Sequence, residues 1–184
     1  MDELRPTMIP GEWTGRAVRR AALPLCLALG MIGGACVQRA AEPLSGSLGS
    51  PEMVAGTLLD GLARRDEAAL RSLALSEHEF RTVVWPSLPA SRPGMNVPFD
   101  YVWGTLAQNS RGYLATLLRA YGGRRYSLVG LEFSGETTHY DGFIVHRDSR
   151  LIVRDEEGRQ QRLALFGSLL EQDGRYKVFS YVTD

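Results

Sequence analysis

A chain of 184 residues suits one domain with an N-terminal appendage, and 44% hydrophobic with 23% charged residues excludes disorder throughout. Formal net charge is zero, which excludes the electrostatic drive of a basic nucleic-acid binder, so no nucleic-acid partner is expected. The two cysteines, Cys26 and Cys36, precede the stretch patterned to fold, which excludes a disulfide framework and leaves the domain to its core alone.

Arg16, Arg19 and Arg20 lead an apolar run from Ala21 to Ile32, followed by Gly33-Gly34-Ala35-Cys36. A charged start, a short apolar run and small residues at a cleavage point make the pattern of a signal peptide over residues 1–35. The run falls short of the roughly 20 apolar residues of a membrane span. Its ending resembles the lipobox of bacterial lipoproteins at Gly34, Ala35 and Cys36, and departs from it at Gly33, where that family has an aliphatic residue. The resemblance implies export, lipidation of Cys36 as the first mature residue, and a cell-envelope membrane as partner through the lipid. Translation starts at Met1 or Met8. Residues 36–50 are small, polar and glycine-containing, as expected of a flexible tether.

Residues 51–184 are expected to form a single domain. Ser50-Pro51-Glu52 reads as a helix cap, first-turn proline and acid, followed by a stripe of Val54, Leu58 and Leu62. Asp66 caps a second short helix with Leu70 and Leu73, and Ser76 with Glu79 forms a capping box. Pro86, Pro89, Pro93, Gly94 and Pro98 predict a long loop. The longest helix is expected over 101–121, capped by Asp100 and ended by Gly122-Gly123, with Val102, Leu106, Tyr113 and Leu117 in its stripe and Ser110 interrupting it. Gly104 and Gly112 are expected to mark close packing.

After Gly123 the pattern alternates, with short turn chemistry at Gly135, Asp148, Gly158 and Asp173-Gly174. Strands joined by tight turns cannot be parallel, so an antiparallel meander of about five strands is predicted. Helices followed by a meander give the fold class α+β, with the long helix covering the sheet. This element order resembles the cystatin-like and nuclear transport factor 2-like folds, without the strand pair that normally precedes their long helix. The resemblance implies a cavity between helix and curved sheet, an enzyme pocket in some members and a binding pocket in others.

His139 and Asp141 lie two apart on one strand face, whose parity continues through Phe143 and Val145, and an aspartate beside an imidazole suits general acid/base chemistry. The bland alternative places both at a solvated sheet edge. His139 and His146, an odd number apart, are expected on opposite faces, so no metal site is expected, nor any cofactor. Glu132 is expected to face solvent, as is Arg124-Arg125 at a strand entry. No nucleophile elbow, phosphate loop or zinc-protease motif occurs. Trp85, Tyr101 and Trp103 flank the proline-rich loop, either as a binding surface or as pins holding the loop to the core. The favoured reading is a membrane-anchored, non-enzymatic binding or assembly module. The alternatives are a small pocket enzyme of hydrolase or isomerase type using His139 and Asp141, and a purely structural envelope lipoprotein.

Overall fold

The computed structural model describes residues 43–183. The expected signal peptide, Cys36 and the first part of the tether lie outside the described residues.

The packed domain starts earlier than the predicted boundary at residue 51. Leu44 is only 6% exposed, Ser47 is buried, and Leu48 exchanges backbone hydrogen bonds with Tyr176 at 2.9 and 2.8 Å. Residues 43–50 had read as tether because small polar residues carry no periodicity; two leucines and a strand edge suffice to seat them.

Helix α1 (Pro51–Arg64) starts where Ser50 Oγ accepts from the Met53 amide, and α2 (Glu67–Leu73) where Asp66 accepts from Ala69. Gly61 on α1 faces Leu70 so closely that a Cβ would lie 2.8 Å from Leu70 Cδ2, which brings the two helices together. The Ser76–Glu79 capping box forms in both directions and opens the short α3 (Glu77–Glu79). The helix then widens to a π-turn over Phe80–Val84 and tightens to a 3₁₀ turn at Trp85–Ser87. Pro86 offers no amide hydrogen, and its ring crowds the carbonyl four residues back; the Trp85 amide reaching to Phe80 accommodates both. One further 3₁₀ turn, Pro89–Ser91, interrupts the proline-rich loop. Helix α4 runs from Phe99 to Tyr121, two residues longer at its start than predicted. Pro98 occupies its cap position without a side-chain bond, and Asp100 sits in the first turn.

Seven antiparallel strands follow: β1 (Ser127–Phe133), β2 (Thr137–Tyr140), β3 (Phe143–Arg147), β4 (Ser149–Arg154), β5 (Gln160–Leu163), β6 (Ser168–Gln172) and β7 (Arg175–Ser180). They form a three-stranded sheet, β1-β4-β5, and a four-stranded sheet, β2-β3-β6-β7. The two sheets are one meander folded over: β1 and β2 pair with β4 and β3 along a single long hairpin, and β5 and β6 continue alongside. The bends fall at 134–136, at Asp148 (φ 54°) and at 164–167. At the bend Gly167 passes so close to the Val182 carbonyl that no side chain fits. The predicted meander of about five strands becomes seven, because the Asp141-Gly142 turn separates β2 from β3 and the break at 164–167 separates β5 from β6. The fold is α+β.

The four-stranded sheet is buried on both faces. Leu169 and Val178 join one core with α1, α2, Leu114 and Leu117 of α4, and Leu151 and Val153 of the smaller sheet. Phe143, Val145 and Leu170 join a second core with Phe80, Val83 and Val84. Helix α4 spans the two: its C-terminal half anchors in the first core, and its N-terminal half lies over the second through Val102, Trp103 and Leu106. Ser110, which interrupts the apolar stripe, accepts a hydrogen bond from the Tyr181 amide at 3.1 Å. Gly104 and Gly112 face open space rather than a close neighbour, since a Cβ at either would meet nothing within 4 Å.

Candidate functional site

His139 and Asp141 are both exposed. The parity that tied them to Phe143 and Val145 breaks at the Asp141-Gly142 turn, where Gly142 takes φ 86°. Across this hairpin Tyr140 pairs with Phe143 and Thr138 with Val145, so the buried face carries Thr138 and Tyr140 while His139 shares the other with Ile144. Asp141 belongs to the turn and not to the strand. An Asp-Gly pair between alternating runs is a strong hairpin signal, and reading it as strand produced the error. The same turn reverses the expectation for His139 and His146: opposite Ile144 and Thr137 respectively, they lie on one face of the hairpin. Among the described residues no group of three or more His, Cys, Asp or Glu side chains is arranged to hold a metal. Glu132 is exposed, 3.7 Å from Arg162, and Arg124 and Arg125 are exposed at the entry to β1.

The aromatic residues gather around Phe80. Its ring lies 5.4 Å from Trp103, 6.0 Å from Phe99 and 6.3 Å from Phe179. Trp85 meets Phe99 edge-on at 5.4 Å, and the Arg81 guanidinium stacks on the other ring partner at 3.6 Å from the Phe99 centroid. Trp85 and Trp103 are thus half-buried in one cluster that holds the proline-rich loop to the core. Tyr101 lies outside this cluster and is 69% exposed.

The N-terminal half of α4 rests on the sheet as a ridge with a cleft along each side. One, of 370 Å³, opens between α4 and the α2–α3 junction, walled by Trp103, Leu106 and Leu114 over Phe179, with Arg71 and Arg111 exposed in its lining. The other, of 480 Å³, opens between α4 and β3 and is lined by Tyr101, Val102, Tyr140 and Phe143 with Arg147. Phe179 and Leu106 contribute to both. Both volumes lie within the range of small-molecule sites. Neither cleft includes His139, Asp141 or Trp85.

Two polar constellations escaped the sequence reading. Lys177 Nζ donates to both carboxylate oxygens of Glu79 at 2.8 Å and to the Ser45 carbonyl at 2.8 Å, in a pair whose side chains are 4% and 7% exposed. Burial pushes the Glu79 carboxyl up, but the Lys177 hydrogen bond, then those from the Ser76 amide and hydroxyl, hold it below the ordinary value. On the opposite sheet face, His146 Nε2 lies 2.8 Å from Glu171 Oε2 and Nδ1 lies 3.4 Å from Thr137 Oγ1. The nearby Tyr176 phenol is pushed up by burial and by the Glu171 charge. Hydroxyl, imidazole and carboxylate in a row have the logic of an activated nucleophile, yet none of the three lines either cleft. Both constellations join residues far apart in the chain, so no local motif announces them.

Comparison with family models, with curated proteins and with solved structures gave no match to this chain.

Proposed function

We propose that this chain is a lipid-anchored, non-enzymatic binding module of a cell envelope, held by Cys36 and binding through the N-terminal half of α4. The observation that carries the reading is the placement of two apolar clefts along one helix, lined by Tyr101, Val102, Trp103, Leu106 and Phe179. Aromatic walls with a few polar groups suit binding, whereas His139 and Asp141 stand exposed and outside both clefts. The arginine-flanked apolar run ending in Gly-Gly-Ala-Cys36 supports the anchor.

The test is to photolabel the full chain with a diazirine-bearing palmityl alcohol, a neutral apolar probe, and to map the labelled peptides. Label is expected between residues 101 and 114, and Ala107→Trp, which fills the first cleft from its wall, is expected to remove it there. Absence of label from this stretch in the unmodified chain overturns the reading.

A further inference from the structure

Where the second cleft carries one cation in its lining, Arg147, the first carries two, Arg71 and Arg111. Its hydroxyl groups are already bonded within the protein. Ser72 Oγ donates to the Ala69 carbonyl, Ser76 Oγ to Glu79, and Ser110 Oγ accepts from the Tyr181 amide. The Tyr181 hydroxyl donates to the Leu70 carbonyl. The lone carboxylate in the lining, Glu77, is bound to Arg81 at 2.9 Å. What remains for a ligand is an apolar wall with the Ser110 O–H and two guanidinium groups, Arg71 and Arg111, neither in an ion pair among the described residues.

We propose that this cleft holds a long-chain carboxylate, its anionic head between Arg71 and Arg111 and its chain against Trp103, Leu106 and Phe179. The inference rests on the binding-module reading and adds the charge of the ligand to it. Arg71 sits in the last turn of α2 and Arg111 on α4, so the two cations in the lining come from the two helices that flank the cleft. A planar guanidinium on each side suits the two oxygens of a carboxylate, a geometry that a phosphate-free, neutral amphiphile does not use. The 370 Å³ volume lies at the lower end of the range for small-ligand sites, which favours one chain over the paired chains of a bilayer lipid. An uncharged chain end would leave both cations hydrated at the rim and gain only the apolar wall.

The experiment compares diazirine-bearing palmitic acid with the corresponding palmityl alcohol on the full chain, reading label in peptides that contain residues 71–77 and 103–114. The acid is expected to reach half-maximal labelling at about tenfold lower concentration than the alcohol, the preference expected of charge-assisted hydrogen bonds. The double variant Arg71→Gln with Arg111→Gln should erase that preference while leaving the alcohol's labelling and the far-ultraviolet circular dichroism unchanged. Equal labelling by acid and alcohol, or a preference that survives in the double variant, overturns the carboxylate and leaves the binding-module reading standing. No cleft label from either probe overturns both.

Discussion

The Glu79–Lys177 pair contributes to how the domain responds to acid. A carboxyl held below the ordinary glutamate value of 4.5 contributes stability that is complete above that value and is lost as pH falls through the lowered one. Lys177→Met strands the carboxylate in a buried site, and removal of one partner of such a pair costs about 3–5 kcal/mol near neutral pH. Burial is the largest influence on this carboxyl and acts upward; without Lys177 only the serine hydrogen bonds oppose it, so the Glu79 carboxyl titrates higher in the variant and acidification recovers part of the loss. Urea unfolding of both proteins near neutrality and below the glutamate range checks this: the gap between them should narrow in acid, and parallel pH profiles would contradict it. In the sequence Glu79 shows only as the last residue of a capping box, and Lys177 as strand material. Their contact spans 98 positions, which no local pattern records. His139 and Asp141 teach the complementary point: side-chain parity holds along one strand and ends at a turn.

At the scale of elements, α4 is a long helix whose buried residues, Leu114 and Leu117, lie in its C-terminal half. Gly104 and Gly112 weaken it without serving any packing contact. Gly104→Ala is expected to raise stability by about 0.5–1 kcal/mol, since the helix gains propensity and the new methyl meets nothing. Gly167→Ala is expected to act in the opposite sense and strongly, because its Cβ would collide with the Val182 backbone at the bend of the sheet. Thermal unfolding of the two variants gives the comparison; a stabilised Gly167→Ala would show that the bend is misplaced. The helix starts were legible because Ser50, Asp66 and Ser76 act within three residues of themselves. Gly135 and Asp148 were legible as turn chemistry, but not that the strands bend there and continue, since that depends on pairing such as the Ser149 amide to the Gly167 carbonyl across strands.

For the whole molecule, the α+β class followed from element order, while the boundary at residue 51 was set by composition and fell too late. If residues 36–50 were only a tether, removal of residues 1–50 would leave the midpoint of unfolding nearly unchanged. The structure reverses this, because that cut removes Leu44 from the second core, Ser45 from the Glu79–Lys177 network and Leu48 from the edge of β7. A chain starting at residue 51 should be less stable than one starting at residue 43 by about 3 kcal/mol or more, from the lost leucine burial and orphaned hydrogen bonds. Equal urea midpoints for the two would contradict the extended boundary. Reductant should affect neither, since both cysteines lie upstream.

On the proposed reading the molecule binds along α4 and performs no chemistry at the β2–β3 turn. Peptide-mapped photolabelling by the neutral palmityl probe, run on the full chain and on His139→Ala with Asp141→Ala, tests it most directly. Label is expected to concentrate between residues 101 and 114, at the same strength in both proteins. Label centred on residues 137–146, or loss of the α4 label in the double variant with the fold intact, would contradict it.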